Sequence, residues 1–173
     1  MTSAGQPSKI RDISLISRNL TARLIPWFFR STNFYFQTHG LTLFLLNAGP
    51  VCRSYIRTMT LNFGLYSLLH CLRWLAPDPV FDLFNPPLFS TLQFFWRVQI
   101  QELLKEVKLD MLTLVVSEVP RDDIAFVTRL IVQSFGSVKW LRLVLPGSKQ
   151  TVCSASNYMD EFKKAGLTWG VLW

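Results

Sequence analysis

Between Trp27 and Leu75 the chain reads WFFRSTNFYFQTHGLTLFLLNAGPVCRSYIRTMTLNFGLYSLLHCLRWL, with arginine as its one charged residue type and no acid at all. Two environments suit such a sequence: hydrocarbon, or a globular core packed around aromatic rings. From Ser31 to Cys52 run 22 residues without Asp, Glu, Lys or Arg, and a spanning helix needs about 20 mostly apolar residues. A second run, Thr58 to Leu72, has 15 residues between Arg57 and Arg73, whose stems can bend toward headgroups and lengthen the usable span. Gln37, Thr38, His39, Gly40 and Asn47 lower the hydropathy of the first run, and Gly49-Pro50 breaks it ahead of Arg53. Phe28, Phe29, Phe34, Tyr35 and Phe36 crowd one end of that run and Trp74 closes the second, positions that aromatic rings take at a membrane boundary. The expectation is one or two membrane-embedded helices over 31–75, with Trp27, Arg30, Arg53, Arg57, Arg73 and Trp74 at the interface.

The rest of the composition agrees. In 173 residues, 50% are hydrophobic, 14% aromatic and only 17% charged, so disorder is excluded for most of the chain and the aromatic surface must be buried in protein or lipid. Up to Leu75 there are eight basic residues against one acid, Asp12, so the whole net charge of +7 lies in that half; from Ala76 onward ten basic residues balance ten acids. Arginines standing singly between apolar runs fit a membrane surface better than a nucleic acid, which asks for a solvated basic stripe. Ahead of the decisive stretch, Ile13, Ile16, Leu20 and Leu24 recur at helical spacing among Arg11, Arg18 and Arg23. Residues 1–30 therefore read as an amphipathic, Arg-rich, acid-poor segment of mitochondrial-entry type, or as an interfacial helix, ended by Pro26. Cys52, Cys71 and Cys153 show no CxxC spacing and read as free thiols.

Residues 76–110 read as a Pro-rich linker, with Pro77, Pro79, Pro86 and Pro87, followed by an amphipathic helix. Its apolar positions Leu88, Leu92, Phe95, Ile100, Leu103 and Leu104 give way to Glu102, Lys105, Glu106 and Lys108, as in a helix leading from an interface into water. Residues 111–173 change character. Met111 to Val116 is a strand; Pro120, Asp122 and Asp123 start a helix whose face carries Ile124, Val127, Ile131 and Phe135; Gly136 ends it. Ser137 to Leu145 fits both strand alternation and helical spacing. Thr151 to Cys153 reads as a strand, Ser156 to Ala165 as a short helix, and Leu167 to Trp173 as a last strand.

Taken as β-α-α-β-α-β, residues 111–173 resemble the C-terminal domain of the bacterial-type ribosomal stalk protein. The resemblance is carried by Leu114-Val-Val116, Asp123-Ile-Ala-Phe-Val127, Gly136 at a helix-helix turn, Leu143-Val144 late in a second helix, Val152 to Ser154, and Lys163-Lys-Ala-Gly166. It implies an α+β fold in which membrane-associated N-terminal helices precede a small stalk-like domain, similar to supernumerary subunits of protist mitochondrial complexes. The family's GTPase-facing basic residues are replaced here by Asp123, Thr128 and Ile131, and its glycine-rich turn by Ser134-Phe-Gly-Ser137, which removes electrostatic steering. Trp140, Trp169 and Trp173 then become candidates for packing against partner subunits.

Catalytic patterns are missing from the sequence. There is no HExxH, GxSxG, Gly-rich phosphate loop or Walker-type lysine, Asp122 and Asp123 are adjacent and point apart, and Cys153 beside Ser154 lacks a base in the pattern. The sequence-level expectation is a non-catalytic accessory subunit of a mitochondrial inner-membrane complex, a respiratory complex or the ATP synthase, acting in assembly and scaffolding. Its partners would be other subunits and membrane lipids, not nucleic acid; it would need no cofactor or metal; and its small domain would face the matrix. One alternative is a mitochondrial ribosomal protein related to the stalk. Another is an electron-transfer subunit with a haem between His39 and His70.

Overall fold

The structure is a computed structural model, and it describes residues 18–37, 40–62, 91–116, 118–145 and 150–160. The chain order is α1 (Arg18–Ser31), β1 (Asn33–Gln37), α2 (Gly40–Asn47), α3 (Pro50–Tyr55), β2 (Thr58–Asn62), α4 (Thr91–Lys105), β3 (Lys108–Val115), a 3-10 turn (Arg121–Asp123), α5 (Ile124–Ser134), β4 (Ser137–Val144) and β5 (Gln150–Ser154).

The first unit shows how local sequence makes the fold. In α1, Ile25 and Phe28 pack against the core with the buried Phe29. Pro26 lies inside this helix instead of ending it. The hydrogen bond it deletes would have gone to the carbonyl of Ala22, an exposed residue. Asn33-Phe-Tyr-Phe-Gln37 then alternates with the period of a strand, Phe34 buried and Tyr35 exposed. The pattern repeats one unit on: Pro50 starts α3, where a missing N–H costs nothing, and Thr58-Met-Thr-Leu-Asn62 buries Met59 and Leu61.

The five strands lie in the order β1-β2-β3-β4-β5. Strands β1 to β4 are parallel and β5 returns antiparallel to β4. Parallel neighbours taken in chain order need crossovers, which are right-handed, so successive crossovers fall on one face of the sheet. One core results. Phe34, Met59, Leu61, Leu112, Leu114, Leu141 and Leu143 from the strands share a single buried cluster with Phe29, Leu41, Leu45, Ile100, Leu104, Ile124, Val127 and Ile131 from the helices. Among the described residues, the architecture is a layer of helices on a sheet whose five strands follow one another in chain order.

Three expectations are corrected by this arrangement. The fold is α/β with a mixed five-stranded sheet, not membrane helices followed by a β-α-α-β-α-β unit. No described helix is long and apolar enough to cross a membrane, so the one or two membrane helices expected over 31–75 are withdrawn; residues 63–75 of that stretch lie outside the described residues. The uncharged run from Ser31 to Cys52 is divided among β1, α2 and the start of α3, and its rings pack on one another: Phe34 lies 5.4 Å from Phe29 and 4.9 Å from Phe44, centroid to centroid. Finally, Ser137 to Val144, placed as a second helix by the stalk resemblance, is strand β4 with Leu141 and Leu143 buried. Its alternation decided because β3 offers a parallel edge from Lys108 to Val115.

Strand β3 joins the two halves of the chain. It pairs with β2 from Met111 to Val115 and with β4 from Lys108 to Val115, so the sheet runs through position 111 without interruption. The amides of Asp110 and Met111 both donate to the carbonyl of Arg57, at 2.8 and 3.1 Å. Two residues thus oppose one, as in a bulge, which lets Leu109 and Leu112 both be buried although they are three positions apart. Gly136, at the entry to β4, donates to the carbonyls of Leu104 and Val107. A Cβ there would stand 2.0 Å from the carbonyl oxygen of Lys105, so this close approach admits only glycine.

Candidate functional site

Among the described residues, the helices pack on one face of the sheet, and the alternate residues of each strand form the other. The registers define three rows across it: Asn33, Thr58, Met111, Trp140 and Ser154; Tyr35, Thr60, Thr113, Arg142 and Val152; Gln37, Asn62, Val115, Val144 and Gln150. Polar and small residues predominate, and neighbouring strands lie about 4.8 Å apart, so the middle row extends about 19 Å.

Hydrogen bonds tie the β1 side of this face. Asn33 Nδ2 donates to Thr60 Oγ1 at 3.0 Å, Thr60 Oγ1 donates to Asn33 Oδ1 at 3.1 Å, and Asn62 Nδ2 donates to the Tyr35 hydroxyl. Thr60 and Thr113 are buried in the middle of their row. The two ends stand out: Tyr35 is 54% exposed at one, and Trp140 and Val152, each 51% exposed, flank the exposed Arg142 at the other. Behind Trp140, Lys139 Nζ reaches Asp110 Oδ1 at 2.6 Å, and Asp110 also faces Arg57 at 3.9 Å. The cation left on the rows themselves is Arg142.

Of the residues picked from the sequence, Trp140 lies on this face, while Trp169, Trp173, Arg73 and Trp74 fall outside the described residues, as do His39 and His70. Trp27 and Arg30 lie on α1; the Arg30 guanidinium is 5.4 Å from the centre of the Tyr55 ring, a cation-π contact. Arg53 proves to be a structural group. Its buried side chain donates through Nη1 to the carbonyls of Leu45, at 3.0 Å, and Ala48, and through Nε to Glu106 Oε2 at 2.9 Å. It closes the C-terminus of α2, where carbonyls lack helical partners and the helix dipole favours a cation. Arg57 likewise donates to the carbonyls of Ser54, Ile56 and Lys108. Sequence reasoning missed Tyr35 and Arg142, although Tyr35 sits in a clean five-residue alternation that would have exposed it.

Near β5, Tyr158 lies within electrostatic reach of Arg129 and Cys153. Among the described residues no three of His, Cys, Asp and Glu are close enough to hold a metal ion. Burial pushes the Cys52 thiol up from its ordinary value, against a smaller opposing pull from Arg53, and burial likewise raises the Tyr158 hydroxyl. Both therefore hold their protons at neutral pH, which is the wrong direction for a nucleophile. The strand order is also informative, because ligand crevices of open α/β sheets form where the order reverses and crossovers part to opposite faces. The order β1-β2-β3-β4 never reverses.

Among the described residues, fold and face together define an α/β protein with helices on one side of a mixed sheet and a polar, aromatic-edged surface on the other. No family model, curated protein or solved structure matches the chain.

Proposed function

We propose that the chain is a non-catalytic accessory subunit of a mitochondrial inner-membrane assembly, and that it scaffolds by docking its exposed sheet face against a neighbouring subunit. The observation that carries the reading is the pairing of a rigid, hydrogen-bonded sheet with exposed Tyr35, Trp140 and Arg142 on the face opposite the helices. Tyr, Trp and Arg are the residue types that dominate interface energetics, because each offers large contact area together with a polar tip. The mitochondrial part of the reading is supported by the Arg-rich, acid-poor character of the first residues. Matrix exposure of the sheet face belongs to the same proposal.

Blue-native electrophoresis of detergent-solubilised mitochondria tests it. The wild-type chain is expected to migrate with a large assembly, and a Tyr35→Ala/Trp140→Ala/Arg142→Ala variant of unchanged circular dichroism to migrate alone. Migration of the wild-type chain as a monomer, or undiminished association of the triple variant, would refute the proposal.

A further inference from the structure

The helix layer carries a second surface of different chemistry. In α1 the exposed residues Leu20, Arg23, Trp27 and Arg30 recur at spacings of three and four, which at 3.6 residues per turn confines them to roughly 80° of the helix surface. Apolar and cationic side chains thus alternate along one line while Phe28 and Phe29 turn to the core. Trp27 is 65% exposed, unusual for the largest apolar side chain, and Val51 on α3 is 62% exposed. Helices α1 and α3 each lead directly into one of a pair of parallel strands. The contact of Arg30 with Tyr55 sets their register, and one turn back on each helix stand Trp27 and Val51. From Arg18 to Asn62 there is no Asp or Glu, and Arg53 and Arg57 meet acids on the far side of β2, at Glu106 and Asp110.

We infer that this stripe of α1, with Val51 beside it, is a docking site for a membrane surface bearing anionic phospholipids. The helix lies in the plane of the interface, Trp27 and Val51 enter the boundary between headgroups and acyl chains, and Arg23 and Arg30 meet the phosphates. Charge complementarity selects this occupant: an acid-free cationic line suits an anionic surface, and apolar side chains set between the arginines are surplus to a purely electrostatic contact with a polyanion. The contact involves no spanning segment. It lies on the layer opposite the sheet face, so it stands or falls separately from the protein docking proposed above.

Co-sedimentation of the purified full chain with vesicles tests it, using phosphatidylcholine alone and phosphatidylcholine with cardiolipin. Binding is expected only with cardiolipin present. Arg23→Gln and Arg30→Gln should each weaken it about fivefold, with far-UV circular dichroism unchanged because both side chains are exposed. With brominated acyl chains, tryptophan emission should be quenched in the wild type and much less in Trp27→Phe, a conservative change that keeps the fold and most of the binding. The inference is overturned if cardiolipin vesicles leave the chain in the supernatant or the arginine variants bind like wild type. Equal quenching in Trp27→Phe would also overturn it, as would complete displacement by heparin, which would make the stripe a general polyanion site.

Discussion

Replacing Arg53 probes how far the fold depends on one cation. Its side chain is 8% exposed and joins three places in the chain: the end of α2 through the carbonyls of Leu45 and Ala48, its own helix α3, and Glu106 at the start of the third strand unit. Glu106 is 47% exposed, and pairs with that much solvent are worth about 0–1 kcal/mol. The carbonyl bonds differ, because a hydrogen bond from a charged group contributes about 1.5–3 kcal/mol and its loss leaves buried acceptors unserved. Arg53→Met, which keeps the apolar stem, should therefore cost about 3 kcal/mol, and Glu106→Gln less than about 1 kcal/mol. For a chain of this length that is a fall in Tm of about 6–12 °C for Arg53→Met and about 2–4 °C or less for Glu106→Gln. Urea denaturation followed by circular dichroism at low and high salt measures both. Salt should erode the Glu106 contribution and leave that of Arg53 largely intact. Equal costs for the two substitutions would refute the reasoning, since the energy would then reside in the ion pair and not in the closure of α2.

Other expectations follow from single contacts. Gly136→Ala places a methyl group against the carbonyl of Lys105 and should destabilise the protein by about 1–3 kcal/mol, read as a lower urea midpoint at unchanged slope. Thr128 is fully buried and its hydroxyl has no hydrogen-bond partner, so Thr128→Val should stabilise by about 1 kcal/mol; a loss of stability would show that the hydroxyl is served. Because burial raises the Cys52 thiol above its ordinary 9.0, the stability tied to its protonated form is complete below pH 9.0 and lost as pH rises through the higher folded value. Cys52→Ala should flatten that alkaline decline in a pH series of melting curves. A fragment comprising 111–173 would leave bare the β3 edge that pairs with β2, and it should show no cooperative unfolding transition; a sharp melt would demonstrate independent folding.

Much of the fold was legible locally. The break at Gly49-Pro50, the strand near Met111 to Val116 and the helix after Pro120 follow from rules that act within a few residues, whereas the strands Asn33–Gln37 and Thr58–Asn62 lie inside runs that their apolar length assigns to membrane helices. The exposure of Tyr35 is legible in its five-residue alternation, whereas its place in one row with Arg142, at the opposite end, is set only by pairing across the sheet. The environment of Trp27 to Leu75 was not legible in composition. An apolar run without acids is compatible with lipid and with a protein core, and window hydropathy averages away the period of two that puts Phe34 inside and Tyr35 outside.

By itself, then, the amino-acid order determined where the backbone could turn, which side chains needed burial, and that the first half would be cationic, with Asp12 its one acid. Tertiary structure decided what did the burying. Helices stacked on one side of a parallel sheet supplied a core for the phenylalanines, and the free edge of β3 drew Ser137 to Val144 into a strand although its spacing also suited a helix. Arg53 is the clearest case: its charge is evident in the sequence, but its role depends on carbonyls and a carboxylate that only the folded chain brings within reach. Long-range pairing is invisible to any local window because its free energy appears only when distant segments meet.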